Sequence, residues 1–166
     1  MKTNYRKPLV VFSPKSLLRH PLCVSTQEEL YNGSFQEVID DTFTDKKQVK
    51  TVAFCTGKFY YDLLAEREKL GRTDVAFVRI EQLFPLPVEQ LKAVIASYPN
   101  ADDFAWAQEE PKNMGAYSFM LMNFDLVPWR LASLKAYAAP AAGSHTRDRR
   151  RHTDAIRMVF DKNLFR

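Results

Sequence analysis

A strand, a helix and a second strand are packed into residues 51–80, and no other feature limits the fold as much. Val52-Ala53-Phe54-Cys55 is an apolar run of buried-strand length, and Thr56-Gly57 is a tight exit from it. Lys58 to Leu70 then has helical spacing, with Phe59, Leu63 and Leu70 on one face and Glu66, Arg67, Glu68 and Lys69 expected largely in solvent. Gly71 stands where a helix C-cap takes a left-handed residue, and Val75 to Ile80 follows as a second apolar run. Strands separated by an intervening helix cannot form a hairpin, so the predicted arrangement is a right-handed crossover between parallel strands.

The alternation continues. Val88 to Ser97 has helical spacing at Leu91, Val94 and Ile95, Asp103 to Ala107 is a strand, and Gly115 to Asn123 is helical. Leu134 to Ala138 is expected to be the last strand, and Thr153 to Lys162 a terminal helix with Ile156, Val159 and Phe160 on one side, while Ala138 to Gly143 is an extended connection. Upstream, Leu9-Val10-Val11-Phe12 predicts a strand, and Ser13-Pro14 opens a short helix from Lys15 to Leu18 that Pro21 ends. Ser25 to Lys50 is less regular: Asn32-Gly33 marks a turn, Phe35 to Ile39 a strand, and Asp40 to Lys50 a polar connection. The expected fold is α/β, an open, mainly parallel sheet flanked by helices, in a single domain over residues 1–166.

Composition narrows the function classes by exclusion. With 46% hydrophobic residues the chain can bury a core, and a formal net charge of +4 does not demand a polyanionic partner. The cluster Arg147, Arg149, Arg150 and Arg151 contains Asp148 and lacks interleaved aromatics, so it reads as a solvated face or helix start rather than a nucleic-acid site. Cys23 and Cys55 have neither disulfide-framework nor zinc spacing, His20, His145 and His152 are scattered, and no Gly-x-Ser-x-Gly elbow occurs. No apolar stretch approaches the roughly 20 residues of a membrane span, and Met1 to Lys7 leads into no signal-type apolar core; a soluble, intracellular protein is expected, with no membrane partner.

Two strand exits carry the candidate chemistry. At Thr56-Gly57-Lys58 the first turn of a helix offers unpaired N–H groups to an anion. The glycine spacing of a P-loop or dinucleotide fingerprint is absent, so a plain tight turn is the preferred reading. Gln108-Glu109-Glu110-Pro111 follows the strand ending at Ala107, where ligands and partner surfaces gather in open α/β sheets. Adjacent carboxylates in extended chain point apart, so Glu109 and Glu110 read as capping and interface groups rather than an acid/base pair.

Four motifs in order carry a resemblance: Lys7-Pro-Leu-Val-Val-Phe-Ser-Pro-Lys-Ser-Leu-Leu-Arg-His-Pro21, Gly57-Lys-Phe-Tyr-Tyr-Asp-Leu63, Arg79-Ile-Glu-Gln-Leu-Phe-Pro85, and Trp106-Ala-Gln-Glu-Glu-Pro-Lys-Asn-Met-Gly-Ala116. The chain resembles the C-terminal domain of the thiamine-dependent first component of 2-oxoglutarate dehydrogenase over residues 6–145, and the helical tail 146–166 carries no motif of it. The resemblance implies a transketolase C-terminal-like domain with no catalytic residue, cofactor or metal of its own. It implies a parent enzyme that decarboxylates 2-oxoglutarate in the TCA cycle on thiamine diphosphate and magnesium bound upstream. Implied partners are the rest of the first-component chain, a second copy in a homodimer, and the lipoyl transferase component. The implied location is the cytoplasm in bacteria and the mitochondrial matrix in eukaryotes. Some relatives hold a regulatory AMP or acyl-CoA near this domain, which makes Gln82, with Gly57 and Lys58, a candidate regulatory site. Ser34, Glu37, Glu89 and Gln90 stand where other acyl-CoA contacts would be expected and do not match them. Arg79, Glu81, Glu109, Glu110 and Asn113 are candidate interface or structural residues, holding buried backbone at sheet ends or facing a partner.

Overall fold

The computed structural model describes residues 4–8 and 10–164. Met1–Ser34 and Phe35–Arg166 are two compact units. In the first, Lys15–Leu17 is a single 3-10 turn and α1 spans Gln27–Tyr31. The strand expected from Leu9 is not formed by Val10, Val11 and Phe12, which are exposed coil, and Leu9 itself lies outside the described residues. Among the described residues of its own unit no strand pairs with this run, and a strand cannot persist without a ladder partner. Ser13 does not cap the short helix either; Pro14 is the cap residue and no side chain bonds there. α1 is started by Thr26, whose hydroxyl accepts the Glu29 N–H at 3.2 Å while the Glu29 carboxylate accepts the Thr26 N–H at 2.7 Å.

The second unit holds a five-stranded sheet ordered β1-β3-β2-β4-β5, built from β1 (Val38–Ile39), β2 (Thr51–Cys55), β3 (Val75–Ile80), β4 (Asp103–Ala107) and β5 (Trp129–Ala132). β1 runs antiparallel to β3 and the other neighbours are parallel. The open, mainly parallel sheet flanked by helices is thus as expected. Its helices are α2 (Phe59–Leu70), α3 (Val88–Ala96), α4 (Tyr117–Asn123) and α5 (His145–Phe160). On one face Val52, Phe54, Val78 and Trp106 join Leu91 of α3 and Met120 of α4 in a single buried cluster. On the other, α2 and α5 touch each other and cover β3, β4 and β5, with Phe77 meeting Phe160 edge-on at 5.9 Å. Strands buried on both faces read as continuous apolar runs, which is why β2 and β3 were plain in the sequence.

Several boundaries differ from expectation for identifiable reasons. The last strand is Trp129–Ala132, not Leu134 to Ala138. Arg130 interrupts its apolar pattern, and in the fold that guanidinium is neutralised by Asp103 of β4 in a bidentate pair at 2.8 Å. The terminal helix begins at His145, eight residues before Thr153, because the charged first turns carry no apolar stripe to announce them. Gly115 precedes α4 instead of opening it, since its φ of 70° is not helical. Phe35 to Ile39 contributes only the two residues of β1.

On α2, Arg67 is buried and Leu70 is 48% exposed, the reverse of the expected assignment. Phe59, Leu63 and Arg67 lie four residues apart, so Arg67 continues the buried stripe. Its guanidinium pairs with Asp41, donates to the Val75 carbonyl at 3.1 Å, and lies over the Phe77 ring, while Asp41 also accepts the Phe77 N–H at 2.8 Å. The polar connection from Asp40 therefore closes a buried ion pair beneath β3. Gly71 caps the helix with φ 61°, and Arg72 N–H returns to the Arg67 carbonyl at 3.2 Å, as in a Schellman turn.

Candidate functional site

In the strand order, β2 leads through α2 to β3 on one side and β4 leads through α4 to β5 on the other. Adjacent parallel strands whose exits diverge leave a crevice beyond their carboxyl ends, the place where open α/β sheets bind ligands. Here the crevice lies between the exits of β2 and β4, which pair through Phe54 and Trp106.

Four charged or titratable side chains meet there. Lys58, at the start of α2, donates to Asp62 one turn on at 2.7 Å and lies 3.8 Å from Glu109, which follows β4. His152 of α5 lies 3.1 Å from Glu109 through Nδ1 and 3.5 Å from Asp62 through Nε2. The hydrogen bond to Glu109, with the charge of Asp62 behind it, raises the His152 pKa against the opposing effect of burial. The same bond lowers Glu109. Burial works against the Lys58 ammonium, but Asp62 and Glu109 outweigh it and raise its pKa. At this helix start, where a plain tight turn is the preferred reading over an anion site, Lys58 is engaged by the protein's own carboxylates. At the tip of β2, burial pushes the Cys55 thiol up to about 12, so it stays protonated at neutral pH and is no nucleophile.

The segment after β4 is organised by Gln108. Its carbonyl oxygen accepts the Trp106 indole N–H at 2.8 Å and the Tyr117 backbone N–H at 3.2 Å. Its amide donates to the carbonyls of Pro111 and Met114 at 3.1 and 2.8 Å. A Cβ on Gly115 would come within 2.8 Å of that amide. Asn113 exchanges two hydrogen bonds with the backbone of Tyr137, at 3.0 and 3.1 Å, fixing the segment that follows β5. Glu110 is exposed, with its carbonyl 3.2 Å from the Gln108 amide.

The other candidates lie at the β3 exit. Arg79 packs over Tyr60, donates to the Tyr61 hydroxyl at 3.1 Å, and sits 3.1 Å from Glu81 in an ion pair whose Nε is not aligned as a hydrogen bond. Gln82 donates to the Pro85 carbonyl at 2.9 Å and to Glu37 at 3.3 Å, and Gln90 donates to the same Glu37 carboxylate. The fold brings Lys58 and Glu109 together, whereas Gln82 belongs to this separate network. Asp62, Gln108 and His152 were not singled out as site residues from sequence. Asp62 was legible as the i+4 partner of Lys58, but His152 reaches Glu109 across 43 positions and no local signal announces it.

The described residues do not gather the ligand set that the implied magnesium requires. Magnesium requires a set of converging oxygen ligands, and among the described residues no group of three His, Cys, Asp or Glu side chains could hold a metal ion. Lys58, the cation nearest the glycine turn, is already engaged by two carboxylates.

Sheet order and crevice define a doubly wound α/β domain whose switch point is filled by its own ion-pair network. The family described as 2-oxoglutarate dehydrogenase C-terminal matches residues 24–160. The 2-oxoadipate dehydrogenase complex component E1 of Rattus norvegicus is 44% identical over 166 residues, covering 96% of this chain and 18% of that protein. The 2-oxoglutarate dehydrogenase E1 component of Haemophilus influenzae is 47% identical over 140 residues, 84% of this chain and 15% of that protein. The E1 component of Azotobacter vinelandii is 51% identical over 113 residues, 68% and 12%. The chain belongs to the 2-oxoglutarate dehydrogenase C-terminal family, and it spans less than a fifth of the length of these relatives.

Proposed function

We propose that this chain is a noncatalytic completing domain of a thiamine-diphosphate-dependent E1 enzyme that oxidatively decarboxylates 2-oxoglutarate in the TCA cycle. Its role is to support the E1 dimer and the docking of the lipoyl transferase component. The observation that carries this reading is the state of the switch-point crevice: Lys58, Asp62, Glu109 and His152 satisfy one another there, and Gln108 and Asn113 bind backbone. Exposed apolar side chains support a covering neighbour: Phe84 is 84% exposed and Met122 77%.

The test is reconstitution. This chain is mixed with the upstream, thiamine-binding portion of the same enzyme, and decarboxylation of 2-oxoglutarate and of 2-oxoadipate is measured with thiamine diphosphate and magnesium added. Activity present only in the mixture, with a dimeric mass by light scattering, is the expected result, and the faster substrate identifies the parent reaction. Turnover by this chain alone would remove the proposal.

A further inference from the structure

β5 is the outer strand on one side of the sheet and pairs with β4 alone among the described residues. In the register Ala132 stands opposite Ala107, and the Gln108 N–H donates to the Ala132 carbonyl at 3.1 Å. A strand residue turns its N–H and C=O to one neighbour, and the next residue turns both to the other side. Arg130 and Ala132 therefore give their backbone groups to β4, and Trp129 and Leu131 direct theirs to the open edge. Such a row of outward N–H and C=O groups is a template for a further strand.

A groove of about 860 Å³ runs against that edge. Both Arg130 and Leu131 line it, although consecutive strand residues point to opposite faces of a sheet. Arg130 reaches the α5 carbonyls of Met158 and Val159, whereas Leu131 packs against the cluster that contains Leu91 of α3 and Met120 of α4. A space that meets both residues must reach the strand edge between the two faces. The rest of its lining comes from the loop after β4, the segment after β5, α5 and the residues that follow α5. The wall after β5 is held in place: the Lys112 N–H bonds the Leu134 carbonyl at 2.9 Å, and Asn113 clamps Tyr137.

Charge selects the occupant. Seven cationic side chains and two carboxylates line the groove. Internal pairs take up part of that excess: Arg130 is neutralised by Asp103, Lys162 lies 3.3 Å from Asp102, and Arg150 is 4.0 Å from Asp154. Arg151 and Lys135 both stand over the Tyr137 ring, at 3.7 and 5.8 Å, contacts that leave their charge in place. Two copies of the chain joined edge to edge would set this positive lining against its equal, and like charges facing across a ladder destabilise it. An extended segment bearing carboxylates gains ladder bonds from the Leu131 backbone and charge-assisted contacts from the groove walls. Phe84, which supports a covering neighbour, stands past the end of β3, with β2 and β4 between β3 and β5, so a contact at Phe84 leaves the β5 edge to a different polypeptide. We infer that the β5 edge binds an extended acidic segment of a partner protein, which adds to the sheet as a further strand. The inference stands on the edge and the groove and does not depend on the parent reaction.

Fluorescence anisotropy of a labelled peptide of about eight residues, alternating Glu and Val, tests it on the full chain. The salt is set at about 0.15 M, where attraction between exposed charges beyond about 8 Å is screened. Saturable one-to-one binding is expected, together with slowed hydrogen exchange at the Leu131 amide. Two further peptides, methylated at alternate backbone nitrogens in one phase or the other, keep the charge. The one that loses the donors facing β5 should bind about tenfold more weakly. Lys112→Glu and Arg147→Glu, both at exposed positions of the lining, should each weaken binding by about threefold. No binding, equal affinity for both methylated peptides and their parent, or equal affinity for a Lys-Val peptide would overturn the inference. So would a dimer of the chain alone, by light scattering, in which the Leu131 amide is already protected, since a second copy would then be the occupant. An unchanged thermal melt of the variants separates loss of binding from loss of fold.

Discussion

At Gln108 one neutral side chain satisfies an indole, a backbone N–H and three carbonyls, all at a sheet end closed to water. A buried amide with both ends bonded fixes a loop more firmly than apolar packing, because each broken bond leaves an unsatisfied group. Gly115 belongs to the same device, for its φ of 70° disfavours any Cβ and the Gln108 amide fills the space a methyl would need. Gly115→Ala is expected to destabilise the chain by at least about 1–2 kcal/mol in urea unfolding, the cost of a left-handed residue with a side chain. Arg67 and Asp41 are the corresponding charged device. Arg67→Met should cost on the order of 3–5 kcal/mol by leaving Asp41 buried and unpaired, and adding Asp41→Asn should recover part of that loss in a double-mutant cycle. The sequence showed Arg67 as one charge in a run of four, because solvent exposure cannot be inferred from charge alone when the partner lies 26 positions away.

Among elements, α5 is fastened to the sheet layer at two points along its length. Near its middle His152 bonds Glu109, and at its last turn the Met158 and Val159 carbonyls accept from Arg130, itself held by Asp103. A cation at a helix C-terminus also meets the negative end of the helix dipole. The His152 contact makes stability pH-dependent. The folded chain holds the His152 proton above the ordinary value of 6.5, so this contribution is complete below 6.5 and is lost as pH rises through the higher folded value. Glu109 is held below its ordinary 4.5, so its contribution is complete above 4.5 and is lost as pH falls through the lower folded value. The pair therefore stabilises most between 4.5 and 6.5. Its worth is discounted to below about 1 kcal/mol because the Glu109 side chain is 45% exposed and screened. Denaturant midpoints of the wild type and His152→Gln should differ most between pH 4.5 and 6.5 and converge as pH rises past the raised folded value, in keeping with the sign of that linkage; a gap that widens with rising pH would contradict the assignment.

For the whole molecule, the proposed covering neighbour is supported by large exposed apolar side chains, Phe84 and Met122 among them. Replacing Phe84 and Met122 by Ser should leave urea stability within about 0.5 kcal/mol, as for other exposed positions. In sedimentation of the mixture, the same change should weaken association with the upstream portion of the enzyme. Unchanged association would move the contact to another surface. Much of this was legible in the chain itself. The apolar runs of β2, β3 and β4 and the Gly71 stop were fixed by local chemistry, since strands buried on both faces and left-handed caps each demand particular residues. Thr26-x-x-Glu29 carries an equally local signature, that of a capping box. Only the tertiary structure decided that Arg130 sits in a strand, that Arg67 is buried, and that His152 closes on Glu109. Each of these depends on a charge meeting a partner across distant stretches of chain. Sequence periodicity reports which side of an element is apolar, and it carries no record of what stands opposite a charge.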